Sequence, residues 1–139
     1  MIKLGLVGAQ KTHAYIFSSI FNGREEKEWP ADAWKPEKNM HINDAKIVKV
    51  WSQTKDSAEI LADTCNIEQV VDNREQVADG VDAVIIADDT TLTHSKHWRC
   101  FLEKNISTFI DKPLSDTIQG AKGIIEFAKR NNCNRSVRL

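Results

Sequence analysis

The chain has 139 residues, 28% of them charged, with 19 basic and 20 acidic side chains and a formal net charge of −1. That length suits a single domain with a core of its own. The even charge offers no basic stripe for nucleic acid and no pull toward an anionic membrane, and no apolar run approaches the ~20 residues of a spanning helix.

In chain order, Lys3 to Val7 is a short apolar run opening onto Gly8, as a buried parallel strand would. Ala14, Ile16, Phe17, Ile20 and Phe21 then follow a helical period over His13 to Phe21, with Thr12 as the expected N-cap. Residues 22–44 are dense in charge and carry Trp29, Pro30, Trp34 and Pro36. They read as an inserted loop, pinned to the domain by its tryptophans or presenting them as a lid or partner surface. Ala45 to Trp51 is a β-branched strand. Asp56-Ser-Ala-Glu59 reads as a capping box for a helix to about Thr64, and Asp72-Asn-Arg-Glu75 as another for a short helix ending near Gly80. Gln69 to Val71 is a short strand and Val81 to Ala87 a buried one. A helix from Thr93 to Lys104, a strand from Ser107 to Ile110 and a helix from Asp116 to Arg130 complete the pattern, and Asn134 to Leu139 suits a sixth strand. Asn66, Asn105 and Asn132 close helices, since Asn tolerates the left-handed conformation common there.

Strand and helix alternate throughout. The expected fold is therefore α/β, a doubly wound parallel sheet in one domain covering residues 1–139. Three cysteines, Cys65, Cys100 and Cys133, are far apart and form no C-x-x-C pair. They read as reduced thiols, and with no basic stretch and long apolar core at the N-terminus the expected location is cytoplasmic.

In such a sheet, ligands bind beyond the carboxyl ends of the strands. Three stretches lie there: Gly8 to His13, Ala87 to His94 and Asp111 to Leu114. The first resembles a dinucleotide turn, G-x-G-x-x-G, but Gln10 and His13 stand at the second and third glycines. Gln10 must point aside or supply its own contacts. His13 replaces the glycine that lets helix and strand pack closely. After the second strand, where an NAD site usually has an acidic residue, come Ser52, Gln53, Thr54 and Lys55. Hydroxyls and a cation suit a 2′-phosphate, so NADP is slightly favoured over NAD. The interval from Gly8 to Ser52 is about twice the usual ~20 residues, and the insertion accounts for it.

The run GVDAVIIADDTTLTH, then a helix, then STFIDKPLSD, resembles the Gfo/Idh/MocA oxidoreductases over nearly the whole chain. Thr12-His13-Ala14, with Asp-Lys-Pro in place of Glu-Lys-Pro, resembles one branch of that family. The resemblance implies a Rossmann-type cofactor domain and hydride transfer between a nicotinamide dinucleotide and a sugar- or polyol-like carbinol or carbonyl carbon. It implies that Lys112 acts on the reacting oxygen, that Asp111 meets a cofactor ribose, and that His94 and the Asp88–Thr91 loop flank the nicotinamide. Ala87, Gly8, Gln10, Thr12, His13, Ser52, Thr54 and Lys55 complete the expected cofactor contacts. The family's second, substrate-shaping domain is absent from these residues. The expectation is a fragment or truncated product, inactive alone, that takes a small-molecule substrate when completed, with a homo-oligomer as a possible state. The competing reading is a non-catalytic module that binds a nucleotide or a partner. No metal is expected: His94 and His97 lie three apart, near Asp88 and Asp89, but no third His or Cys is spaced to complete a site.

Overall fold

The computed structural model describes residues 1–10, 12–27, 29–88, 94–131 and 137–138. In chain order it shows β1 (Ile2–Val7), α1 (Thr12–Asn22), β2 (Ala45–Trp51), α2 (Lys55–Thr64), β3 (Gln69–Val70), a 3-10 turn (Arg74–Ala78), β4 (Ala83–Ile86), α3 (His94–His97), α4 (Arg99–Glu103), β5 (Ser107–Ile110), α5 (Ile118–Arg130) and β6 (Val137–Arg138). The described strands form one parallel sheet in the order β3-β2-β1-β4-β5-β6. Val7 pairs with Ile86 and Ile86 with Ile110. Gly8, Ala87 and Asp111, the residues that follow, therefore share the carboxyl edge.

The chain leaves β1 in one direction and β4 in the other. With right-handed crossovers, helices of the first half fall on one face and those of the second half on the opposite face. Two cores result. Leu4, Leu6, Ile47 and Ile85 pack with Ala14 and Tyr15 of α1 and Leu61 of α2. Val7, Val84, Ile86 and Ile110 pack with Phe101 and Leu102 of α4 and Ile124 of α5. β1 lies between the two cores, Leu4 and Leu6 facing one and Val7 the other, which is why it reads as an unbroken apolar run. Fully burying a side chain such as Leu61 or Phe101 removes it from water for about 1.5–3 kcal/mol. Over β4 and β5 the α1 side carries no described helix, and an open apolar groove of about 480 Å³ remains there between Phe17, Phe21, Ile85 and Phe109.

Several local expectations shift. Thr12 is the first helical residue of α1 rather than its N-cap. The Asp56–Glu59 box does not open α2, which starts at Lys55 with Thr54 in the cap position and no side-chain cap bond. Thr54's hydroxyl instead accepts a bond from Gln10. The second box moves one residue on: the Asn73 N–H donates to Oε1 of Gln76 at 2.9 Å. The helix expected from Thr93 to Lys104 is interrupted at Trp98, between α3 and α4. Neighbouring His97 and Trp98 are both buried, His97 against Asp88 and Trp98 edge-on to Phe127 at 5.2 Å. Two side chains from adjacent positions must therefore go inward, more than a regular helix face allows. The helix expected from Asp116 starts at Ile118, with the Thr117 hydroxyl accepting from the Gly120 N–H at 3.0 Å. Asn66 and Asn105 do adopt positive φ, both 54°, and Asn132 lies outside the described residues.

The insertion is held down by specific contacts. Trp29 meets Tyr15 edge-on at 5.5 Å and lies under the Arg24 guanidinium. Arg24 also donates to the carbonyl of Pro36 at 2.6 Å. Trp34 is 56% exposed, so of the two tryptophans Trp29 is the pin.

Candidate functional site

At the crossing point between β1 and β4 the strand order reverses, and neighbouring connections leave toward opposite faces. This opens a crevice at the carboxyl edge. Gly8 sits there with φ +104°. A Cβ built on it would lie 2.7 Å from both N and Cα of Asp88, so the β1–α1 turn presses directly on the end of β4. The backbone amides of the first turn of α1 face this edge, where an anion is favoured. Gln10 points aside, as its position required: Nε2 donates to Oγ1 of Thr54 at 2.8 Å and ties the turn to the β2–α2 loop.

Beyond β2, Ser52 is buried while Gln53, Thr54 and Lys55 are exposed. Lys55 pairs with Asp72 at 2.7 Å. Their hydrogen bond, and then their mutual attraction, holds the Lys55 ammonium above its ordinary pKa and the Asp72 carboxyl below its own. Both groups are solvated, so the pair adds little stability.

Beyond β4, Ala87 and Asp88 are buried. Oδ2 of Asp88 accepts from Nε2 of His97 at 3.0 Å, and Nη1 of Arg74 lies 3.0 Å from Nδ1 of the same ring. Guanidinium can only donate and carboxylate only accept, so His97 holds a single tautomer, with the proton on Nε2. Arg74 also donates to the carbonyl of Lys96, and Trp51 closes over the His97 ring edge-on at 5.4 Å. One oxygen of Asp88 is thus committed inward. Asp89 to Thr93 lie outside the described residues, as does the side chain of His94, which opens α3.

Beyond β5, Asp111 is buried and its Oδ2 bonds Nδ1 of His13, in the first turn of α1. Oδ1 has no hydrogen-bond partner among the described residues. Lys112 is exposed and has no ion-pair partner among them, and its bond to Pro113 is cis.

The edge thus gathers Gly8, Gln10, Thr12, His13, Ala87, Asp88, Asp111 and Lys112, with Ser52, Thr54 and Lys55 one strand further on. Sequence reasoning missed Arg74 and Trp51, which bear no local signal. It noticed His97 only as a metal partner of His94. Among the described residues no three His, Cys, Asp or Glu side chains cluster as a metal requires, and no helix among them is long and apolar enough to cross a membrane.

Over residues 3–139 the chain matches the oxidoreductase family with an NAD-binding Rossmann fold, Gfo/Idh/MocA. The chain belongs to that family. Its fold is shared with solved structures of low identity. Myo-inositol dehydrogenase from Lactobacillus casei, solved with NAD(H) and myo-inositol, is 18% identical with a TM-score of 0.76, over 99% of this chain and 36% of that one. Biliverdin reductase from Synechocystis, solved with biliverdin and NADP+, is 16% identical with a TM-score of 0.68, over 98% and 36%. A Gfo/Idh/MocA family oxidoreductase from Vibrio cholerae is 25% identical with a TM-score of 0.65, over 94% and 36%. The chain thus spans about a third of the length of these structures. No curated protein matches it.

Proposed function

We propose that this chain holds a nicotinamide dinucleotide along the carboxyl ends of β2, β1, β4 and β5, as the cofactor half of an oxidoreductase acting on a sugar- or polyol-like carbinol or carbonyl carbon. The observation that carries this is the β5 end: an exposed Lys112, with no ion-pair partner among the described residues, directly follows a buried Asp111 whose Oδ1 has no hydrogen-bond partner among them, on the same edge as the Gly8 turn. The residues suit the cofactor. Gly8 lets the turn pack directly on the end of β4, α1 offers free amides to the diphosphate, and Oδ1 of Asp111, with no hydrogen-bond partner among the described residues, is an acceptor for a ribose hydroxyl. When bound, the nicotinamide gives or takes the hydride. Lys112 then polarises the substrate oxygen or moves its proton. The family resemblance assigns the nicotinamide side to His94 and to the residues after Asp88.

NADP(H) is held at least as tightly as NAD(H). Residues 52–54 carry no carboxylate to repel a 2′-phosphate, and Lys55 is within reach of it once released from Asp72. Substrate walls come from a second domain outside these residues. Orientation at near-attack distance supplies much of the rate, so the 139-residue chain alone turns over no polyol.

Titration calorimetry with NADPH and NADH tests this. The expected result is binding of both, weakened by Lys112→Ala, with NADPH selectively weakened by Lys55→Ala and selectively tightened by Asp72→Asn. A clear NADH preference insensitive to Lys55→Ala overturns the choice of cofactor. Absence of binding to either favours the non-catalytic module.

A further inference from the structure

His13 stands where a dinucleotide turn has its third glycine, yet its side chain is well employed. Nδ1 bonds Oδ2 of Asp111, 98 positions along the chain. A carboxylate only accepts, so Nδ1 carries the proton. The Asp111 side chain is 7% exposed and that of His13 28%, which shields the bond from competing water on the carboxylate side. The ring is braced edge-on by Phe17 at 6.1 Å, and Phe17 by Phe109 of β5 at 5.9 Å. β1 and β5 are not neighbours, since β4 lies between them. One charge-assisted hydrogen bond and three rings therefore tie α1 to the end of β5 across the crevice. Among the described residues, Oδ1 of Asp111 and Nε2 of His13 make no hydrogen bond.

We propose that His13 is the positioning residue of the β5 end. Its Nδ1–H fixes Oδ2 of Asp111, which turns Oδ1 to the crevice as the ribose acceptor. By anchoring residue 111 it also sets the direction from which Lys112 enters. The role rests on the dinucleotide reading above. It also accounts for the missing glycine: close approach of helix and sheet is replaced by a side-chain strut.

Amide substitutions separate the two ring nitrogens. His13→Asn keeps an N–H near the place of Nδ1, His13→Gln places its amide near Nε2, and His13→Ala keeps neither. NADPH binding by calorimetry is expected within about threefold of the unaltered chain for His13→Asn. It is expected to be about tenfold weaker or more for His13→Gln and His13→Ala, the scale of losing one hydrogen bond to a charged group. Thermal unfolding verifies that each variant is folded. A ligand-free readout is 15N NMR of the histidine-labelled chain at pH 8: Nδ1–H in the unaltered chain, and the commoner Nε2–H in Asp111→Ala. Equal binding by all three variants, or rescue by Gln and not Asn, overturns the positioning role and leaves the dinucleotide reading intact. An Nε2–H tautomer in the unaltered chain overturns the His13–Asp111 bond itself. No NADPH or NADH binding by the unaltered chain overturns the dinucleotide reading, and the positioning role with it.

Discussion

Gly8→Ala is the most direct probe of the crevice, because two separate costs meet at that position. The first is conformational. At φ +104° an alanine occupies a region L-residues rarely enter, at about 1–3 kcal/mol. The second is steric. The new methyl lies 2.7 Å from N and Cα of Asp88 and 2.9 Å from the carbonyl carbon of Ala87, all backbone atoms that no side-chain rotation can clear. Relief requires the turn to back away from β4 by several tenths of an ångström, an overpacking penalty of about 1–3 kcal/mol. Movement that relieves one cost eases the other, so the expected loss is roughly 2–5 kcal/mol, a large part of a domain's ordinary 5–15 kcal/mol. Gly23→Ala is the internal control: φ is +72° but nothing lies within 4 Å of its Cβ, so only the conformational cost of about 1–2 kcal/mol remains. Urea unfolding followed by tryptophan fluorescence, at unchanged slope, measures both. Gly8→Ala should also weaken NADPH binding by about tenfold or more, since the displaced turn no longer aims its amides. If Gly8→Ala costs no more than Gly23→Ala, the turn does not bear on β4 and the geometry of the crevice is wrong.

His97→Leu is expected to cost about 2–4 kcal/mol in urea unfolding, because it removes the His97 donor from the buried Asp88 carboxylate and one of the acceptors of the part-buried Arg74. Adding Asp88→Asn should recover part of that loss, and a strictly additive double variant would show that the two are not coupled. Burial pushes the Cys65 thiol from its ordinary 9.0 up to about 12, against a small opposing pull from Arg24. The folded chain then keeps a proton that the unfolded chain gives up, so this group makes stability fall as pH rises from about 9 toward 12, by up to ~1.4 kcal/mol per unit. Cys65→Ala should flatten that part of the profile, and an unchanged slope between the two proteins would contradict it.

Some features were settled by the local sequence. Ala45 to Trp51 and Ser107 to Ile110 are strands residue for residue as read, because their β-branched and aromatic side chains suit a pleated, half-buried surface. Alternation of strand and helix, with right-handed crossovers, was enough to place Gly8, Ala87 and Asp111 on one edge. Asn66 and Asn105 closed their helices for a reason internal to each residue. What the local sequence did not contain was the partner of each polar side chain at that edge. Gln10 finds Thr54, Lys55 finds Asp72, His97 joins Arg74 to Asp88, and His13 reaches Asp111. Each pair joins residues from separate elements, and strand order alone brings them together. The same pairings moved the local signals. Thr54 accepts from Gln10 instead of capping α2, and the helix after β4 breaks where His97 and Trp98 are both drawn inward. Period and composition report which face of an element is apolar. A hydrogen bond needs its donor and acceptor within about 3 Å, and only the packed sheet fixes separations on that scale.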